Sequence, residues 1–497
     1  MDAHPGGSEF REKKIFIFLL GLFSILSYAP FNFFVALPIS FIFLILLVHK
    51  NLNESKKQIF ILFYLYGFGF HLASLYWLSA ALLLSPKFYF FIPFSLVALP
   101  LILAIYHGLF GLLFVIKFNN LFLRSIFLSS GFVVIEFLRA TLFTGLPWNL
   151  YGYSIASINN IAQICSIFGV FSLSFLVIYL SISVGLLVIY KNKIGLYNFL
   201  FSILLLTTSY IYGWQRVSES QWTDKTLMIV QPGTHKEILS REYIYRSFRD
   251  LINVTKNNYN SEDLVIWPED AIKFMVNLNF NNDFSSLTGF MKDGSYLISG
   301  ANSFKNNLFY NSILVLSQKG GLEDYHHKSK LIPFGEYIPF SNIFPMETIV
   351  GNHINFTAGK AIKEIKIGND AIVPLNCYEA ILPNINFDRQ KAILIVNSTN
   401  DSWYGKTTGP YQHAAINKIR AIEFGLPIAR SASTGISLLT DSYGREIKTI
   451  ELNSSGFISS KIPKTLENTW FLQYNLGRVF IIICLVMAIV CFFFRKN

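Results

Sequence analysis

The chain has 497 residues, 52% of them hydrophobic and 14% charged, with a formal net charge of +11. That balance excludes a wholly soluble globular protein and fits a helical membrane bundle joined to a water-soluble domain. Nucleic acid is excluded as a partner too, because the Lys and Arg residues crowd into short loops between apolar runs and no basic, aromatic-interleaved motif accompanies them.

Residues 1–13 read as a polar tail. The apolar run that follows leads into further apolar runs without a small-residue cleavage site, so it is expected to remain as an anchor. A spanning helix needs about 20 apolar residues. By that measure the region 14–219 holds seven predicted spans, at 14–29, 32–49, 58–79, 88–116, 122–142, 162–190 and 195–214. An eighth, at 471–494, lies in the closing segment 467–497. Pro30, in Tyr28-Ala29-Pro30-Phe31, breaks the first two into a hairpin.

Arg11, Lys13 and Lys14, then Lys50, Lys56 and Lys57, Lys117 and Arg124, Lys191 and Lys193, and Arg495 and Lys496 fall on one side of an eight-span arrangement. Such basic loops mark the cytoplasmic face, so both termini are expected there and residues 220–466 on the other side. Two features sit toward that outer side. The connection 140–161 is rich in aromatics, with Trp148 and Tyr151 as candidates for lipid contact. Glu136 and Arg139 form a charged pair one turn apart, a costly arrangement unless it faces the bundle interior or an aqueous cavity.

Residues 220–466 alternate between strand and helix patterns. Strands are predicted at 226–231, 264–267, 296–300, 311–316, 371–375, 392–396, 428–431, 436–440 and 457–461, with helices at 237–257 and 411–424. A layered α/β domain accounts for that order better than an all-β one.

Cys165, Cys484 and Cys491 lie in apolar runs and behave as small hydrophobes, whereas Cys377 follows a strand and sits among polar residues. Two other strands end abruptly in charge, at Trp267-Pro268-Glu269 and at His327-Lys328 leading to Gly335-Glu336. A cysteine attacking a carbonyl needs a base for its proton, a role for Glu269, and a cation for the oxyanion that develops, a role for Lys328. Glu336 and Glu379 are placed to hold that lysine charged. Adjacent histidines such as His326 and His327 point apart on a strand and no third ligand has suitable spacing, so neither a metal nor another cofactor is expected.

Read together, Glu269, Lys328 with Glu336 eight residues on, and Cys377-Tyr378-Glu379 resemble the Glu-Lys-Cys site of the nitrilase superfamily, and more narrowly that of the apolipoprotein N-acyltransferases. The motifs Tyr28-Ala29-Pro30-Phe31, Gly145-Leu146-Pro147-Trp148, Tyr310-Asn311-Ser312, Asn400-Asp401-Ser402-Trp403-Tyr404-Gly405 and Arg420-Ala421-Ile422-Glu423 with Arg430 are similar to that family's text, and the likeness covers nearly the whole chain. One departure stands out: Val230-Gln231-Pro232-Gly233-Thr234-His235-Lys236 is followed by no nearby tryptophan, where the family usually has one.

The resemblance implies a polytopic bundle with an inserted nitrilase-like αββα sandwich, in a bacterial inner membrane with the catalytic domain periplasmic. It implies an acyl chain moved from a phospholipid, at sn-1 of phosphatidylethanolamine, through a thioester on Cys377 to the α-amine of an S-diacylglyceryl-cysteine on an apolipoprotein. Glu269 would be the base, Lys328 the oxyanion partner and Cys377 the nucleophile, with Glu336, Tyr378, Glu379 and Asn311 auxiliary. Trp148, Tyr151, Trp403, Arg139, Glu136 and Phe344, the last in an apolar lid at 340–346, are candidates for substrate or lipid contact. The protein is expected to act as a monomer. A membrane-tethered amidase or hydrolase, and a transporter or receptor without catalysis, stay open as alternatives.

Overall fold

The computed structural model describes residues 6–50, 55–83, 86–233, 241–333, 335–337, 355–383 and 385–496. The expected lid at 340–346, with Phe344, and residues 234–240 after the first strand lie outside them. The chain divides into two compact units, Met1–Val217 with Gln473–Asn497, and Ser218–Leu472.

In the first unit, six helices among the described residues are long and apolar enough to cross a membrane: Lys56–Leu75, Phe88–Phe114, Leu121–Thr144, Val170–Tyr190, Lys193–Arg216 and Leu476–Lys496. The first two expected spans fall short of that measure. Gly6–Ser24 carries Arg11, Glu12, Lys13 and Lys14 within its length. Ala36–His49 has 14 residues, about 21 Å of helix against a hydrocarbon core of about 30 Å. The expected span at 162–190 is interrupted at Gly169, where a φ of +72° ends one short helix before Val170–Tyr190 begins.

Buried side chains hold this unit together across helices. Asn198 donates to Ser125 at 2.6 Å and accepts from Tyr179 at 2.6 Å, bonds that take the place of water in an apolar bundle. At one end, Asn119 donates from its backbone and side chain to the carbonyls of Arg495 (3.0 Å) and Lys496 (2.7 Å), and Arg124 donates to Tyr190 at 3.2 Å. At the other, Asn149 donates to Ser74 at 2.8 Å and Trp148 packs on Trp77 with ring centroids 4.4 Å apart.

The second unit is built on two sheets. Its strands are β1 Trp222–Gln231, β2 Leu264–Ile266, β3 Ile272–Asn277, β4 Tyr296–Lys305, β5 Leu308–Ser317, β6 Leu322–His327, β7 Ile365–Ile367, β8 Asp370–Asn376, β9 Ala392–Thr399, β10 Ile428–Ala432, β11 Ser437–Thr440, β12 Glu446–Ile450 and β13 Gly456–Pro463. One sheet runs β13-β1-β2-β4-β5-β6 with β3 on β4, and the other runs β12-β11-β10-β9-β8-β7.

Period-two alternation sorts each strand's side chains between two cores. Leu227, Ile229, Leu264 and Ile266 meet Ile372, Leu394 and Val396 between the sheets. Their neighbours Met228, Val230, Val265 and Trp267 face outward with Leu251 of the helix Arg241–Asn258. On the other sheet Val373, Leu375 and Ile395 pack with Ala421 and Phe424 of Gly409–Phe424. Helix, sheet, sheet and helix thus form four layers. Strands β1, β2 and β4 are parallel, as are β8, β9 and β10, so their carboxyl ends gather on one edge of the sandwich. Ser398 donating to the Trp267 carbonyl at 3.0 Å and Ser431 to that of Val230 at 2.8 Å tie the sheets together there.

Candidate active site

Glu269, Cys377 and Thr399 stand at the carboxyl ends of β2, β8 and β9, and Lys328 follows β6 directly. Gly300 on β4 makes room for the first of these: a Cβ there would lie 2.5 Å from the Glu269 Cα and 2.7 Å from the Asp270 nitrogen. Lys328 is registered by its own backbone, whose N–H donates to the Asn311 carbonyl at 2.8 Å.

The side chains converge in a site that is almost sealed. Lys328, 1% exposed, places Nζ 3.3 Å from Glu269 Oε1 and 2.8 Å from Glu336 Oε1. Asn311 Nδ2 donates to the same two oxygens, at 2.8 Å each, and its Oδ1 accepts from Asn376 at 2.8 Å. The second Glu336 oxygen accepts from the Ile332 N–H at 2.8 Å. Glu269 and Lys328 are the charged groups that act most strongly on the Cys377 thiol.

Electrostatics follow from this burial. Desolvation raises Glu269; the Lys328 ammonium opposes that shift and the Glu336 carboxylate adds to it. Burial and the Glu269 charge likewise push the Cys377 thiol up, against Lys328. Desolvation alone would lower Lys328, but the two carboxylates outweigh it and the amine is held charged. At rest the site therefore contains a thiol, a carboxylate able to take its proton and a permanent cation.

Cys377 has a φ of +48°, the left-handed region that costs a residue with a Cβ of order 1 kcal/mol or more. It opens the short helix Cys377–Ile381, and Glu379 locks that turn by accepting from the Asn376 N–H at 2.8 Å and the Ser329 N–H at 2.6 Å. Glu379 also meets His326 Nε2 at 3.0 Å. Despite full burial its carboxyl is held below the ordinary range, by His326 and by these hydrogen bonds. Glu336 thus pairs with the lysine, whereas Glu379 bonds His326 and Ser329. Tyr378 is buried beside them.

The remaining candidates are distributed differently. Trp148 and Tyr151 are packed inside the helical unit and not on its lipid-facing surface; Tyr151 meets His107 at 2.9 Å. Glu136 and Arg139 point inward as well. Arg139 donates to the carbonyls of Leu146 (2.8 Å) and Trp148 (3.1 Å), and Glu136 accepts from the Tyr151 N–H at 2.7 Å, so the pair fastens the aromatic connection to its helix. With Tyr106, His107, Phe132 and Tyr151 they line a small cavity. Trp403 of the second unit is 46% exposed.

A second buried network, with no role assigned from sequence, lies on the far side of Cys377. Arg430 donates to Asp401 at 2.5 Å and to Asn397 at 2.6 Å, and His413 meets Asp401 at 2.9 Å. Asp401 is held down to about 2, burial being outweighed by Arg430 and His413. Asp401 and Arg430 both fall in motifs quoted from sequence, which was the available signal.

Two family models match the chain: the apolipoprotein N-acyltransferase N-terminal domain over residues 20–183 and carbon-nitrogen hydrolase over residues 237–469. A protein of Rickettsia typhi called apolipoprotein N-acyltransferase is 36% identical over 93% of this chain and 94% of its own. One of the same description from Rhizobium rhizogenes is 30% identical over 93% of each. Among solved structures, a CN-hydrolase superfamily protein of Xanthomonas campestris aligns with 52% of this chain and 93% of its own, at 17% identity and a TM-score of 0.37. Matched by relatives along almost its whole length, the chain belongs to the apolipoprotein N-acyltransferase family.

Proposed function

We propose that this chain N-acylates lipoproteins at a bacterial membrane, drawing the acyl group from sn-1 of a phospholipid, phosphatidylethanolamine, through a thioester on Cys377. The observation that carries the reading is a buried thiol that senses a buried carboxylate whose pKa is raised, with that carboxylate paired to a charged lysine, in a chain of this family. The Cys377 proton passes to Glu269 as sulfur attacks the ester carbonyl, and Lys328 faces the oxyanion. Collapse breaks the ester C–O bond, and the lysophospholipid leaves with the proton held by Glu269. The α-amine of an S-diacylglyceryl-cysteine then attacks the thioester and gives its proton to Glu269. Cleavage of the C–S bond returns that proton to Cys377.

In this reading Asn311 and Glu336 position Lys328, and Glu379 and Tyr378 support the cysteine turn. Gly6–Ser24 and Ala36–His49 serve as two further crossings, making eight, with both termini cytoplasmic, the second unit periplasmic, the membrane the inner one, and the protein a monomer.

Intact-protein mass spectrometry after incubation with phosphatidylethanolamine and no acceptor tests the mechanism. A hydroxylamine-labile acyl adduct is expected on the native chain and not on Cys377→Ala, and a diacylglyceryl peptide amine should discharge it. Absence of an adduct on folded protein overturns the thioester. Discharge to free fatty acid in the presence of the amine favours a hydrolase.

A further inference from the structure

The Cys377 sulfur has a neighbour other than its base and its lysine. Thr399 Oγ1, at the end of β9, lies 3.1 Å from Sγ and 3.2 Å from Asp401 Oδ1. A threonine hydroxyl has one proton and so donates to one of these two acceptors at a time. Thr399 is fully buried and Asp401 is 1% exposed, which leaves the choice to the charge on sulfur.

Asp401 is built to receive that proton without taking it. Its Oδ2 accepts from Arg430 at 2.5 Å and its Oδ1 lies 2.9 Å from His413 Nδ1. His413 Nε2 reaches the Cys377 carbonyl at 3.3 Å, and Asn397 donates to the same oxygen at 3.4 Å. The network that anchors the hydroxyl therefore also holds the strained backbone that aims the sulfur.

We propose that Thr399 is a further catalytic residue: its hydroxyl donates to the Cys377 sulfur when that sulfur is a thiolate and turns to Asp401 when it is a thiol or a thioester. A neutral thiol or thioester sulfur is a weak acceptor, so the carboxylate holds the proton at rest. As the thiol proton moves to Glu269, the sulfur becomes the charged partner and the O–H swings to it. No proton leaves Thr399. The same bond serves both half-reactions, lowering the energy of the nucleophile on attack and of the leaving group when the acceptor amine expels it. This rests on the thioester reading above.

Alkylation of Cys377 tests the bond without lipid. Full-length protein in detergent is treated with iodoacetamide across pH, and the Cys377 peptide is read by mass spectrometry in the native chain, Thr399→Val and Thr399→Ser. The charged groups that face the thiol, Glu269, Lys328 and Asp401, are retained in all three, as are Tyr404 and His413. Loss of the hydroxyl should move the alkylation midpoint to higher pH and slow alkylation at neutral pH about tenfold, with Thr399→Ser restoring both. Single-turnover formation and discharge of the acyl-enzyme should slow together in Thr399→Val. An unshifted midpoint in folded Thr399→Val overturns the proposal, and Thr399→Ala replaces it with the same outcomes if the valine variant does not fold. A shifted midpoint in a protein that forms no acyl adduct upholds the bond and overturns the acyl-transfer reading alone.

Discussion

Burying Lys328 between Glu269 and Glu336 makes the lysine a structural counter-ion as well as the proposed oxyanion partner, and substitution can separate the two. Lys328→Met leaves two carboxylates buried without a cation, a loss of about 3–5 kcal/mol of stability. Removing one of those charges as well, in Lys328→Met with Glu336→Gln, should recover much of the thermal stability but none of the acylation. Recovery of activity in the double variant would count against the lysine as oxyanion partner. Glu336 also acts on the proposed base. Its carboxylate raises Glu269, so Glu336→Gln should lower Glu269 and move the acid limb of single-turnover acylation to lower pH. The sign follows because Glu269 as the proposed base must be deprotonated to act, so acylation should fall as pH drops through its raised pKa. Glu269 and Cys377 were legible in sequence because each follows a buried strand with a reactive side chain, and Lys328 and Glu336 through the family resemblance of their eight-residue spacing. Thr399 and His413 were not, because what makes them matter is the pairing of β8, β9 and β10, which no local pattern reveals. His326, weighed only as a metal ligand, bonds a carboxylate 53 residues further on.

At the scale of elements, Asp401 joins the turn after β9 to β10 through Arg430 and to the helix Gly409–Phe424 through His413. Its carboxyl, ordinarily near 3.8, is held at about 2 in the fold. A depressed carboxylate contributes stability that is present above its unfolded pKa and lost as pH falls through the folded one, here between about pH 4 and 2, worth about 2–3 kcal/mol. Asp401→Asn should remove that acid-dependent increment and, by leaving the Arg430 guanidinium buried without its counter-ion, lower stability at neutral pH also. Denaturation followed across pH in both proteins checks this, and an unchanged acid limb in the variant would refute it. All nine strands read from sequence are present, because alternating apolar residues face two cores at once. Strands β3, β6, β7 and β12 were missed. Strand β3 exposes Phe274 and Met275, β6 carries charged and polar side chains along most of its length, β7 has three residues, and β12 is exposed along most of its length. Each offers too short or too broken an alternation for sequence pattern to report.

For the whole molecule, the basic loops of the membrane unit can be traced to one end of its bundle. Asn119 bonds the backbone of Arg495 and Lys496, Arg124 bonds Tyr190 beside Lys191, and the His49 and Tyr190 rings lie 5.6 Å apart. Four of the basic loops read from sequence therefore share one end of the bundle, as the positive-inside rule requires of a cytoplasmic face. Tyr28, beyond the first helix, packs on Phe70, and Phe70 on Tyr151, toward the end that holds Trp148. The helices Gly6–Ser24 and Ala36–His49 either cross the bilayer twice or dip in and return, and both choices leave the termini on the same side. The turn between them decides. If the bundle crosses eight times, Phe31→Cys, at a position 54% exposed, should react with a membrane-impermeant maleimide in intact spheroplasts. Lys193→Cys, in the opposite set of loops, should react only after permeabilisation. The four native cysteines are buried and set the background. Protection of Phe31→Cys until permeabilisation, with Lys193→Cys unchanged, would establish a re-entrant hairpin and six crossings, and the reverse pattern at both sites would invert the protein in the membrane.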